Sequence, residues 1–225
     1  MKLSVVIPTL NAARTLPDCL ARLGAVDEII IVDGGSTDET VRIAERAGVR
    51  LVISPKGRGL QLRAGGEAAM GDWLLFLHAD TMLGANWRQA ADAHIARHPE
   101  VPACFRFCLD DIAWQARLIE RGVSLRVGVL RLPYGDQGLL VPAPRYRRVG
   151  GYSPLPLMED IDLIRRLGRV LVLPAEAVTS AKRWRHDGWL RRSALNLFCL
   201  GLYYAGVSPN RIARMYVKGR LRRAS

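Results

Sequence analysis

Residues 28–40 run from an apolar stretch into a carboxylate, two glycines and a cluster of hydroxyls: Glu28-Ile29-Ile30-Ile31-Val32-Asp33-Gly34-Gly35-Ser36-Thr37-Asp38-Glu39-Thr40. The β-branched residues suit a strand buried on both faces, and the glycines let the backbone turn sharply and come close to a ligand. Asp33 then stands at the carboxyl end of a strand, where open α/β sheets bind their ligands. The chemistry this suggests is the holding of a nucleotide; the plain alternative is an ordinary βα turn with a surface aspartate. Thr37 is the expected helix cap. A second carboxylate tops a second apolar run, Trp73-Leu74-Leu75-Phe76-Leu77, in His78-Ala79-Asp80. A third acidic site, Glu159-Asp160, opens a helix, where acids complement the positive end of the dipole whether or not they do chemistry. Lys56-Gly57-Arg58-Gly59 adds a basic, flexible loop.

The elements that must position these residues follow from periodicity. Leu3–Thr9 reads as a buried strand stopped by Pro8, because proline cannot donate to a central ladder. A helix at 15–23, the Asp33 strand, a helix at 37–47 and a strand at 49–53 give βαβαβ, hence a parallel sheet with right-handed crossovers. A helix at 61–70, the strand at 73–77, a helix at 86–98 and a strand at 102–109 continue the alternation. In that last strand Cys104, Arg106 and Cys108 imply one less buried face. Residues 112–130 read as a helix, 138–141 as a short strand and 142–151 as a turn. No repeat or linker marks a domain boundary.

With 225 residues, 49% apolar and 24% charged, the chain can bury a sizeable core as one large α/β domain. Cys19, Cys104, Cys108 and Cys199 form no CxxC pair, and no signal peptide precedes Met1-Lys2-Leu3-Ser4. Reduced, buried thiols in a cytoplasmic protein are the expectation, and a zinc site is not. The net charge of +12 is uneven: residues 181–225 hold eleven Lys/Arg against Asp187 alone. Its basic residues flank the apolar run 195–207, too short to cross a bilayer. It fits either an amphipathic helix at the inner face of a membrane, arginines on anionic headgroups, or a core helix with a wet basic side.

The ordered segments Val5-Val6-Ile7-Pro8-Thr9-Leu10-Asn11, residues 28–38, Leu77-His78-Ala79-Asp80 and Met158-Glu159-Asp160 resemble the family 2 nucleotide-sugar glycosyltransferases of GT-A fold. Lys182-Arg183-Trp184 is similar to an Arg-Trp element of many members. Tyr134-Gly135-Asp136-Gln137-Gly138 resembles a small bacterial subgroup associated with radical-SAM and selenium-related domains. The resemblance implies a Rossmann-like, mostly parallel sheet flanked by helices over residues 1–180, with a basic helical extension at 181–225. It implies a donor site of Pro8, Thr9, Asn11, Asp33, Gly34, Gly35 and Ser36, with Asp33 accepting from the base or ribose. It makes Asp80 the metal-binding acid for Mg²⁺ or Mn²⁺ and Asp160 the general base, beside Glu159. Gly34 departs from a second aspartate common there, and His78 from the first acid of the family's Asp-x-Asp element.

A single base opposite a single leaving group then implies inversion, with a UDP-sugar as the donor by family habit and an unidentified acceptor, a lipid-linked one among the candidates. Lys56, Arg58 and Arg63 are candidate helpers at the diphosphate. His78 either touches metal or phosphate or caps its strand. Gln137 and Trp184, with His186, are candidates on the acceptor side, the tryptophan having packing under a loop as its alternative. Two other functions compete: a nucleotidyltransferase, which would want a glycine-rich basic signature where Pro8-Thr9-Leu10-Asn11 stands, and a non-catalytic basic adaptor at a membrane surface. Nucleic acid is not an expected partner, for the tail holds no stacking aromatics in a recognisable module.

Overall fold

The computed structural model describes residues 1–221, with the side chains of Leu130 and 217–221 left aside; residues 222–225 of the basic extension lie outside the described residues. Among the described residues, eight strands form one curled mixed sheet: β1 (Leu3–Thr9), β2 (Glu28–Asp33), β3 (Arg50–Ile53), β4 (Trp73–Phe76), β5 (Thr81–Leu83), β6 (Ala103–Leu109), β7 (Leu139–Pro142) and β8 (Leu171–Thr179). Their order is β3-β2-β1-β4-β7-β6-β8-β5. The helices are α1 (Leu16–Leu23), α2 (Thr40–Arg46), α3 (Arg58–Ala68), α4 (Trp87–Arg97), α5 (Trp114–Leu130), α6 (Ala143–Arg148), α7 (Glu159–Leu167), α8 (Lys182–Asp187), α9 (Trp189–Tyr204) and α10 (Pro209–Leu221).

The strand alternation explains the continuous apolar runs. Val5 and Ile7 of β1 face a core with Leu16, Cys19, Leu75 and Trp87, whereas Val6 between them faces another with Val32, Leu62, Phe76 and Tyr146. Both faces are thus covered, as parallel strands require. Chain order leads from β1 outward through β2 to β3 and then returns to β4 on the other side of β1. The crevice at the carboxyl ends of β1 and β4 is therefore a topological switch point.

β7 runs antiparallel to β4, with Phe76 opposite Leu139. The start of β7 consequently lies beside the end of β4, which carries the 3-10 turn Gly135–Gln137 to the level of His78 and Asp80. At Gly59 a Cβ would meet Ser153 O at 2.5 Å, so the first turn of α3 sits directly on the segment leading to α7.

Several expectations are corrected. α2 begins at Thr40 after Glu39 rather than at Thr37, because Asp38 Oδ1 takes the Thr40 amide at 3.0 Å and holds the preceding residues in a turn. The loop at Lys56 is shorter than expected, with Arg58 and Gly59 inside α3. The 142–151 segment holds a short helix, α6, and strands β5 and β8 were not anticipated. Cys104 is buried and Cys108 half-buried, and the four cysteines are free thiols. No helix among the described residues is long and apolar enough to cross a membrane. α9 docks through Cys199 and Leu200, and α10 through Ile212, while Leu197 and Phe198 stay exposed.

Candidate active site

At the ends of β1 and β2, Asp33 is only 1% exposed, closed over by its own thin loop. Its Oδ2 accepts from the amides of Gly35 (2.9 Å) and Ser36 (2.8 Å), and its Oδ1 from the hydroxyls of Ser36 (2.5 Å) and Thr9 (3.1 Å). Burial pushes its pKa up, but the Ser36 hydroxyl and amide, the Gly35 amide and Thr9 outweigh that and hold it below the ordinary value. Asp33 therefore shapes the loop with its full accepting capacity. Asn11, at φ 52, ties the two loops together: its amide donates to Ser36 Oγ (2.8 Å), and its Oδ1 accepts from the Thr37 amide (2.9 Å). Pro8 is half-buried in β1 one residue before Thr9.

Gly34 is needed for space. A Cβ built there would lie 2.9 Å from Gln61 Cδ. Gln61, on α3 and 4% exposed, donates from Nε2 to Thr9 O (2.7 Å) and Val32 O (2.9 Å). Sequence reasoning missed this residue; the only signal was a polar residue among the apolar positions of α3.

The second half of the site gathers acids. Asp160 Oδ2 accepts from the Gly135 amide (3.1 Å) and Oδ1 from the Tyr152 hydroxyl (3.3 Å). Burial pushes its pKa above the ordinary value, opposed by the Arg58 charge and by these two donors. Burial, then the Asp160 charge, pushes Glu159 up to about 7, against the pull of Arg58, whose Nη1 lies 3.6 Å from Glu159 Oε1. Burial pushes Asp136 up to about 6, with Asp160 and Asp80 adding to the rise and Arg126 and Arg58 opposing it. Arg58 answers electrostatically to Glu159, Asp160, Asp80 and Asp136 together. It is half-exposed at its side chain yet ringed by acids, so it forms the cationic centre of the cluster. His78 is held well below its ordinary pKa, by burial first and then by Arg58 and Arg183, and is a neutral imidazole near pH 7.

Other expected site residues fall elsewhere. Arg63 pairs with Glu67 at 2.9 Å on the outer side of α3, away from the acids that surround Arg58. Lys56 is exposed in the preceding loop. Gln137, expected on the acceptor side, is 1% exposed: its Nε2 donates to Phe105 O (3.1 Å) and its Oε1 accepts from the Tyr134 amide (3.3 Å). Its role is to pin the 3-10 turn onto β6. Trp184 stacks on Trp189, centroids 6.3 Å apart, and packs against the cluster of Phe107, Leu109, Ala116 and Ala181. Its packing alternative is what the geometry favours. His186 is exposed and pairs with Asp187 (3.0 Å).

A divalent ion can be tested against these groups. Among the described residues, no set of three or more His, Cys, Asp or Glu is arranged to hold a metal. Asp136 Oδ1 and His78 Nε2 are nevertheless sealed from solvent without a partner, and Asp136 feels the negative charge of Asp80. That donor set fits a hard cation attached through one or two carboxylates and completed by diphosphate oxygens and water, a mode that magnesium adopts.

Residues 4–135 match the family described as glycosyl transferase family 2. A PGL/p-HBAD biosynthesis glycosyltransferase of Mycobacterium bovis is 46% identical over 91 residues, covering 36% of this chain and 36% of that relative. The matched stretch thus spans about a third of the curated relative. Among solved structures, S. aureus TarS 1-349 in complex with UDP-GlcNAc superposes with a TM-score of 0.61 at 19% identity, over 80% of this chain and 59% of that one. Glucosyl-3-phosphoglycerate synthase from Mycobacterium tuberculosis, in complex with Mn²⁺, UDP and phosphoglyceric acid, does so at 0.53 and 20%, over 76% and 67%. At these identities the likeness is one of fold.

Proposed function

From the membership of this chain in glycosyl transferase family 2, we propose that it moves a sugar from a nucleoside diphosphate, with uridine diphosphate as the favoured donor, to an acceptor hydroxyl with inversion at the anomeric carbon. The observation that carries this reading is the seating of Asp160, a buried carboxylate aimed by the Gly135 amide and the Tyr152 hydroxyl, next to a cluster centred on Arg58. UDP in two structures of like fold supports the choice of donor.

In this mechanism Asp160 takes the proton of the acceptor hydroxyl, a role that contributes about 10²–10⁴-fold. The Gly135 amide and the Tyr152 hydroxyl are weaker acids than a carboxylic acid, so they keep their protons and favour the ionised form of Asp160 against the effect of burial. Arg58 and Arg183, whose charges both reach His78, provide positive potential for the departing diphosphate. Asp80, with Asp136, would hold a divalent ion that neutralises the charge developing on the diphosphate. Asp160 is the one base assigned, no carboxylate is assigned as nucleophile, and a single displacement inverts the configuration.

Residues 1–180 are the transferase unit in this reading, and 181–225 a basic extension near a membrane-proximal acceptor. Ile112, Trp114, Leu118, Leu125 and Val129 on and beside α5, and Leu190, Leu197 and Phe198 on α9, are exposed apolar side chains on elements that touch one another. Together with the charge of the extension they suit an anionic bilayer surface. The Tyr134–Gly138 stretch supports the radical-SAM and selenodomain-associated subgroup.

Calorimetry with UDP in the presence and absence of Mn²⁺ tests the donor site, followed by a hydrolysis screen over nucleotide sugars and the anomeric configuration of the product by NMR. Metal-enhanced UDP binding that Asp80→Ala weakens is expected. Absence of binding to any nucleoside diphosphate would remove the proposal.

A further inference from the structure

We propose that Gln61 reads the hydrogen-bond-donating edge of the donor's nucleoside, its Oε1 serving in place of a side chain at position 34. The inference rests on the donor site proposed above and names a specificity-determining residue within it. Both hydrogens of the Gln61 amide are committed, one to Thr9 O at 2.7 Å and one to Val32 O at 2.9 Å. Flipping the amide would set its oxygen against two carbonyl oxygens, so the orientation is fixed by the network. Oε1 is left without a partner among the described residues, and it is not one of the sealed, unpaired polar atoms. The small accessible part of this nearly buried residue therefore includes an oxygen that only accepts.

Its position is equally constrained. Oε1 lies 3.0 Å from where a Cβ of residue 34 would stand, at the carboxyl end of β2 and beside Asp33. Both oxygens of Asp33 already take two hydrogen bonds from the surrounding loop, whereas Gln61 Oε1 beside them takes none from the described residues. The two positions compete for one volume: a side chain at 34 would displace the Gln61 amide from its place between Thr9 O and Val32 O. A fixed acceptor favours a ligand group that donates and penalises one that accepts. The imide N–H of uracil meets that requirement, the N3 of cytosine opposes it, and a ribose hydroxyl is the other donor a nucleoside offers.

The test is calorimetric affinity, with Mn²⁺ present, for UDP, CDP, N3-methyl-UDP and 2′,3′-dideoxy-UDP. The proteins are wild type, Gln61→Met, Gly34→Asp and the double variant Gly34→Asp/Gln61→Ala, with Tm measured for each. Wild type should prefer UDP to N3-methyl-UDP and CDP by about tenfold or more, the scale of one hydrogen bond made or left unmet. Gln61→Met, which keeps the volume, should lose that preference. Gly34→Asp alone should bind weakly, and the double variant should regain UDP preference because the aspartate then enters the vacated volume. A preference lost for dideoxy-UDP instead supports the same acceptor meeting the ribose. A folded Gln61→Met protein that discriminates as wild type does overturns the inference. Should that variant fail to fold, a folded double variant with no preference for UDP overturns it. Failure of the wild type to bind any of the four nucleotides is a different result, and removes the donor site itself.

Discussion

The Gly135 amide donates to Asp160 Oδ2 at 3.1 Å, and a Cβ at residue 135 would come within 2.5 Å of that same oxygen. The glycine is thus what lets a backbone N–H and a buried carboxylate meet. Gly135→Ala should push Asp160 off its donor and cost at least tenfold in kcat, part of the 10²–10⁴ that a general base contributes, while UDP affinity stays near wild type. Unchanged turnover in a folded Gly135→Ala protein would argue against Asp160 as the base.

Tyr152 donates to Asp160 Oδ1 at 3.3 Å and lowers its pKa against the effect of burial. Removing the hydroxyl favours the protonated carboxyl, and a base works only when deprotonated. Tyr152→Phe should therefore move the acidic limb of the kcat profile to higher pH, with the plateau largely kept. Asp160→Asn should abolish the plateau and leave donor binding intact. A limb that does not move would separate the tyrosine from the base.

Glu159 has its pKa raised from 4.5 to about 7 in the folded protein. The folded state then binds the proton more tightly than the unfolded state, so stability is greatest below about 4.5 as far as this group is concerned and declines as pH rises to about 7. Glu159→Gln should flatten that part of the Tm profile and raise Tm at pH 8. Thermal scans between pH 4 and pH 8 on both proteins check the sign, and equal slopes would refute the assignment.

Arg58 and Arg63 share a helix but should differ in effect. Arg58→Ala removes the charge that restrains Glu159 and Asp160, so both pKa values should rise further and UDP affinity should drop about tenfold or more, the scale of a charge-assisted contact. Arg63 pairs with Glu67 on the surface, both side chains being about half-exposed, and Arg63→Ala should leave affinity and Tm near wild type. A comparable loss from both variants would place Arg63 at the diphosphate after all.

The apolar faces of α5 and α9 and the basic extension predict flotation with vesicles rich in anionic lipid, weakening as salt rises because exposed charges are screened. Paired substitutions Leu197→Ser and Phe198→Ser should reduce it without lowering Tm, since both side chains are exposed. Salt-independent flotation, or none, would leave the membrane out.

β1, β2 and β4 and the carboxylates at their ends are legible along the chain, because strands buried on both faces are written as unbroken apolar runs ending in polar residues. The acidic start of α7 is legible in the same way, for local dipole and capping preferences act within one turn. Proline at position 174 and a half-exposed pattern hid β8, and three residues were too few to signal β5. Which side chains meet is set by the folding of distant segments onto one another. The antiparallel pairing of β7 with β4 brings Asp136 level with Asp80 and turns Gln137 inward, so that of two adjacent polar residues Asp136 faces the cluster. The start of α3 on the segment before α7 selects Arg58 over Arg63. Gly34, read as a missing acid, is a glycine because a side chain 27 positions later fills its space. Local propensity and periodicity act over a few residues and can be read along the chain; steric exclusion and charge coupling act through space, and only the folded chain specifies them.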